Sequence, residues 1–255
     1  MMTVPYPFLA VVFLLGVVVG SFLNALVWRL PRHISILERH STCPRCKHPL
    51  AARDLVPLLS FFLLGGRCRF CHKPISWRYP AVELTTGLLP LMMIGVYGWS
   101  WAALAIILLT LFLEALFLLD TSYHIVPDSV SIPGMVLALV VSLILGRPFG
   151  AVAVGAILGT GVFLAQYVVS KGKWIGDGDI RLGALMGLAL GWKLLLVALL
   201  LSYVSGAIVG SALVALHRKR WKSQIPFGSF LTPATLAALL WGDALLDAYL
   251  HFLGA

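Results

Sequence analysis

W-A-A-L-A-I-I-L-L-T-L-F-L-E-A-L-F-L-L at residues 101–119, followed by D-T-S-Y-H-I-V-P-D at 120–128, decides the fold. A helix that crosses a bilayer needs about 20 mostly apolar residues, and residues 101–119 supply such a run before it stops at Asp120. Comparable runs lie near 7–29, 82–98, 129–146, 150–168, 180–192, 193–216 and 229–253. The whole chain has the same character: of 255 residues, 60% are hydrophobic and 11% charged. Soluble domains carry roughly 45–50% apolar and about 25% charged residues. That excludes a disordered chain, which lacks apolar surface, and most soluble enzymes. The expected fold is an all-α polytopic membrane protein with about eight transmembrane helices. The run at 180–192 is short and borders the next, so seven is the alternative count. The first run lacks a basic start and a small-residue cleavage site, which predicts a retained helix rather than a signal peptide.

Residues 30–80 break the pattern. They are polar and rich in Pro and Cys, and too few to bury much core of their own. With Arg29, the stretch carries Arg32, Arg39, Arg45, Lys47, Arg53, Arg67, Arg69, Lys73 and Arg78 against only Glu38 and Asp54. Such loops stay in the cytoplasm. With eight spans, the loops holding Lys171, Lys173 and Arg181, and Arg218, Lys219, Arg220 and Lys222, fall on the same side. Of the 19 Lys and Arg, only Arg147 and Lys193 then lie outside. The net charge of +9 is thereby read as a topology signal, with no nucleic acid as partner. Three parts are expected: a first helix at 1–29, a small cytoplasmic domain at 30–80, and the remaining helices at 81–255.

All four cysteines fall in the polar block, as Cys43-x-x-Cys46 and Cys68-x-x-Cys71. Each pair can set two thiolates on one tight knuckle, and two knuckles close a tetrahedral zinc site. A segment with little core gains folding energy from such a clip. Disulfides are disfavoured on a reducing face, and the remaining alternative is a set of reduced or redox-active thiols. Four thiolates leave no open position, so the metal is expected to be structural. His48 and His72 are expected at the surface.

The chain has ten acids, and two stand out. Asp120 ends the third span, and Asp179 closes G-D-G-D at 176–179. Both are expected at cytoplasmic helix ends. Two carboxyls that share one proton can hydrolyse an amide: the ionised one takes a proton from water and the protonated one donates to the carbonyl. Gly176 and Gly178 would let backbone and substrate approach closely. The competing readings are helix capping, by Asp179 and by Asp128 after Pro127, and a proton or ion relay in a transporter with a zinc-stabilised loop. Neither H-E-x-x-H nor G-x-S-x-G occurs.

Taken in order, the motifs resemble the type IV prepilin peptidase family. They are G-S-F-L-N at 20–24, Arg29-Leu30-Pro31, C-P-x-C at 43–46, D-x-x-P-x-L-S at 54–60, and G-R-C-R-x-C at 66–71. There follow I-S-x-R-Y-P-x-V-E-L-x-T-G at 75–87, D-(x)6-P-D at 120–128, G-x-G-D at 176–179 and I-P-F-G at 225–228. The resemblance implies that Asp120 and Asp179 are catalytic. Asp128, Gly176, Gly178 and Arg181 would support them, and Asp177 fills the variable position of G-x-G-D. It implies zinc on Cys43, Cys46, Cys68 and Cys71. The chain departs from the usual pattern at Ser122, Tyr123 and Leu55, and carries Arg181 where a Lys is usual.

By the same resemblance, the enzyme would remove the short basic leader of prepilins or pseudopilins after a glycine, at the cytoplasmic face of the bacterial inner membrane. It would then methylate the new N-terminal amine with S-adenosylmethionine. No G-x-G-x-x-G marks a donor site. Glu83, at the start of a span just after the basic block, is the candidate residue for the methyl donor, the competing reading being a salt bridge with Arg78 or a neighbour. The small-residue face of Gly155, Ala156 and Gly159 permits close helix approach, either by a substrate helix or by a neighbouring helix of the chain.

Overall fold

The computed structural model describes residues 5–35, 41–216 and 225–252. Glu38, Arg39 and the basic loop Arg218, Lys219, Arg220 and Lys222 lie outside the described residues. The chain forms two compact units, Met1–Ala103 and Leu104–Ala255.

In the first unit, α1 (Tyr6–Arg29) packs along α3 (Arg78–Tyr97). Pro5 and Pro7 start α1, where the missing N–H groups cost nothing. The helices run antiparallel and touch backbone to backbone, because a Cβ at Gly20 would lie 2.8 Å from Glu83 Cα, and one at Gly16 would lie 2.8 Å from Gly87 Cα. Between them, residues 30–77 carry the short helix α2 (Leu59–Leu63) and two short bridges, Thr42 with Pro49 and Arg67 with Pro74.

The second unit is built from α4 (Trp101–Tyr123), α5 (Asp128–Ile144), α6 (Phe149–Ser170), α7 (Asp177–Ala215) and α8 (Gly228–Phe252). α7 is its centre and packs against α5, α6 and α8. A straight helix of its 39 residues would run about 58 Å, well beyond a hydrocarbon core of about 30 Å. It is broken at Gly191, whose φ of 68° and ψ of 175° suit only glycine. The halves reverse direction there. Gly183 in the first half meets Gly159 of α6, yet Tyr203 in the second half returns to bond Gln166 of α6 at 2.6 Å. The last carbonyls of the first half are satisfied by neighbours: Ser142 Oγ donates to Leu188 O at 2.6 Å, and Arg147 donates to Ala189 O.

Six helices among the described residues are long and apolar enough to cross a membrane, and α5 is a shorter apolar helix. Dividing α7 at Gly191 accounts for the eight apolar segments expected, with the break one residue before the expected boundary. Two expectations are corrected in detail. α4 runs on through Asp120 to Tyr123 and stops only where His124 turns left-handed, at φ 56°. Asp120 therefore sits inside the last turn rather than at its end. The face of Gly155 and Gly159 is filled by the chain itself, with Gly155 against Gly187 and Gly159 against Gly183, so it offers no seat for a substrate helix.

Candidate active site and metal cluster

α7 begins at Gly176, whose extended backbone makes it the N-cap, with Asp177 and Asp179 in the first turn. Asp179 is thus not the N-cap residue itself. Its Oδ2 accepts the Gly176 N–H at 3.1 Å, satisfying a donor at the helix start. Gly178 packs on the loop after α4, where a Cβ would lie 2.7 Å from Val126 Cβ. Arg181 binds that loop to the α7 start: it pairs with Asp128 at 2.8 Å and Asp177 at 3.2 Å, and donates to Val126 O at 3.3 Å. Asp128 occupies the first position of α5, after the N-cap Pro127.

These contacts bring the two acidic motifs together. Asp120 and Asp179 are 6% and 7% exposed and lie close enough to interact electrostatically. The N-terminus of α8 completes the site. The backbone N–H of Ser229 donates to the Asp120 carboxylate, while its Oδ2 is buried without a hydrogen-bond partner. Gly228 makes this approach possible, since a Cβ there would lie 2.8 Å from both Asp120 Oδ2 and Leu182 Cδ1. The sequence reading missed Gly228 and Ser229 as site residues; the I-P-F-G run was the available signal. Two buried carboxyls, one with an open oxygen, are suited to share a proton and polarise a water.

In the first unit the four cysteines form one cluster, their Sγ atoms all within 4.8 Å of one another, Cys43 to Cys71 being 4.0 Å. A tetrahedron with metal–sulfur bonds of about 2.3 Å has edges of about 3.8 Å, so the thiols fit a single metal ion. The two knuckles repeat one geometry. Cys43 N–H donates to His48 O and Lys47 N–H to Cys43 O; Cys68 N–H donates to Lys73 O and His72 N–H to Cys68 O. Lys47 and His72 both turn left-handed, at φ 61° and 54°. The backbone N–H groups of Cys71 and Phe70 pull the Cys68 thiol down to about 7, whereas, against a backbone hydrogen bond at His48, burial and the other three thiols push Cys46 up to about 11. His48 and His72 are exposed, as expected. Arg69 pairs with Asp54 at 2.7 Å and holds its carboxyl below the usual range.

Glu83 is 7% exposed and lies on the wall of a cavity within this unit. Its Oε2 accepts the Leu58 N–H at 2.7 Å, and its carboxylate also bonds Ser21. It reaches across to the cysteine segment, where Leu58 adopts φ 59° and ψ −56°, a conformation uncommon outside glycine.

The fold and site define a polytopic helical membrane protein with a buried carboxyl pair in one unit and a four-thiol cluster in the other. Residues 14–97 match the bacterial peptidase A24 N-terminal domain, and residues 105–211 match the type IV leader peptidase family. The prepilin leader peptidase/N-methyltransferase of Aeromonas salmonicida is 37% identical, covering 96% of this chain and 95% of its own length. That of Pseudomonas aeruginosa is 34% identical, covering 98% and 96%. That of Aeromonas hydrophila is 36% identical, covering 96% and 95%. The chain belongs to the type IV prepilin peptidase family, and is a multi-pass membrane enzyme of the prepilin leader peptidase/N-methyltransferase kind. No solved structure matches it.

Proposed function

We propose that Asp120 and Asp179 are the catalytic pair of a leader peptidase, acting on prepilins or pseudopilins after a glycine at the cytoplasmic face of the bacterial inner membrane. The burial of two interacting carboxyls beside an α8 N-terminus is the observation that carries this reading. One carboxylate takes a proton from water, and the water oxygen adds to the scissile carbonyl carbon. The protonated partner donates to the carbonyl oxygen. Collapse breaks the C–N bond, its electron pair leaves with nitrogen, and a proton from the pair neutralises the departing amine. Arg181 and Asp128 position the loop, and Gly176 and Gly178 permit its close approach to α7. Lys171, Lys173 and Arg181 lie near the same helix ends as the pair, which supports the cytoplasmic assignment.

The second activity is methylation of the amine released by cleavage. When bound, S-adenosylmethionine would supply a methyl group on a cationic sulfur, which would keep the C–S electron pair as the amine nitrogen gained the methyl and lost a proton. Glu83 is the residue assigned to the donor site, where an acid suits a cationic ligand. Zinc on Cys43, Cys46, Cys68 and Cys71 has the structural role of fixing residues 30–80. Residues 1–29 then serve as first span and 81–255 as the peptidase helices.

The reading is tested by incubating detergent-purified protein with a prepilin and labelled S-adenosylmethionine. A mobility shift reports cleavage and label transfer reports methylation. Asp120→Asn and Asp179→Asn are expected to abolish the shift while remaining folded and inserted. Full cleavage by both would end the assignment.

A further inference from the structure

The first unit holds a cavity of about 860 Å³ enclosed by α1, the start of α3 and the cysteine segment. Its size falls in the range of about 300–1,000 Å³ typical of small-molecule sites. Its wall holds more than apolar packing. Asn24 is 3% exposed; its Nδ2 donates to Tyr79 O at 3.1 Å, and its Oδ1 is buried with no partner. Glu83 lines the same space with an acid tied to the chain at Leu58. Trp28 and Tyr79 add aromatic surface, and Arg45 and Lys73 add positive charge. A polar atom left unpartnered in a buried wall is uncommon and points to a ligand that supplies a donor.

We infer that this cavity binds the methyl donor, and that Asn24 is a recognition residue within it. The inference rests on the methyltransferase reading above and adds the location, the residue and the ligand chemistry. The ligand is a nucleoside carrying a cationic sulfur and a zwitterionic amino acid. Asn24 Oδ1 accepts an N–H or O–H from the nucleoside. The Glu83 carboxylate offsets the positive charge. The aromatic rings favour a flat heterocycle, and the basic side chains suit the carboxylate end. An acyl chain would leave Asn24 Oδ1 unpaired.

The test is equilibrium binding of labelled S-adenosylhomocysteine and S-adenosylmethionine to the detergent-purified full chain, independent of turnover. Zinc content per chain serves as the check on folding. The Glu83→Gln side chain keeps an oxygen for the Leu58 N–H while removing the charge. It is expected to weaken the cationic donor more than the neutral product analogue. Asn24→Leu is expected to weaken both by about tenfold, the worth of one buried hydrogen bond. Asn24→Ser replaces it if Asn24→Leu fails to hold zinc. If wild type binds both compounds and transfers methyl groups, but the variants bind with unchanged affinity, the location is wrong and the methyltransferase reading stands. If wild type neither binds nor methylates, that reading falls first. Displacement of the labelled compounds by phospholipid alone, at equal affinity in wild type and Asn24→Leu, overturns the assignment of this cavity.

Discussion

Gly228→Ala is a small change aimed at Asp120, one of the two carboxyls we propose as the catalytic pair. The new methyl would lie 2.8 Å from Asp120 Oδ2 and 2.9 Å from Asp120 Cγ, with Leu182 Cδ1 also at 2.8 Å. Ordinary carbon–oxygen contacts begin near about 3.4 Å, so the carboxyl or the start of α8 must give by roughly half an ångström. Leu182 can rotate its terminal methyl away, but Asp120 is held in the last turn of α4 and bonded to Ser229 N–H. The strain corresponds to overpacking, about 1–3 kcal/mol. The kinetic effect is larger in proportion, because a misplacement of about 1 Å in a reacting group costs about a hundredfold. Cleavage kcat is expected to fall about tenfold or more, with KM for the prepilin nearly unchanged. The assay is a progress curve of leader removal by purified protein, alongside a melting curve in the same detergent. A kcat within about twofold of wild type, with the protein folded, would refute the claim that Gly228 sets the position of Asp120.

Other perturbations have equally direct readouts. Gly155→Val places a branched side chain where even a Cβ would meet Gly191 C at 2.7 Å and Trp192 N at 2.9 Å, so α6 and α7 must separate. The expected loss is about 3 kcal/mol or more, read as a lowered Tm in detergent or as failure to accumulate. Treatment with a chelator is expected to make residues 41–76 sensitive to protease, because the knuckles have little core besides the structural metal we propose for them; unchanged resistance would contradict that proposal. Asp54 has its folded pKa lowered by Arg69. Its contribution is therefore present above the unfolded carboxylate value of about 3.9 and is lost as pH falls through the lowered folded value. Asp54→Asn is expected to flatten the acid limb of the stability profile without altering stability changes above about pH 6.

Helix existence was legible because a bilayer imposes one strong rule, that backbone polar groups be paired inside an apolar segment. The runs at 101–119 and 150–168 correspond to helices at Trp101–Tyr123 and Phe149–Ser170 for that reason. Ends were less legible. The expected start at 180 misses Asp177, because the Gly176 N–H donates to the Asp179 carboxylate and extends α7 into polar sequence. The cysteine spacing foretold the cluster, since ligand chemistry fixes geometry locally. The hydrogen bonds of Glu83 with Leu58 and Ser21 depend on how α1, α3 and the cysteine segment fold over one another. The contact of Gly228 with Asp120 spans 108 positions of sequence; no local pattern encodes it.

The most direct measurement is a double-mutant cycle on cleavage, with single-turnover rates for Asp120→Asn, Asp179→Asn and the two combined. Residues that act on one water and one proton are not independent. Each single change should cost nearly as much as the pair, leaving a residual rate that the second substitution barely alters. Additive losses, or one aspartate dispensable while the other is essential, would contradict a shared catalytic centre.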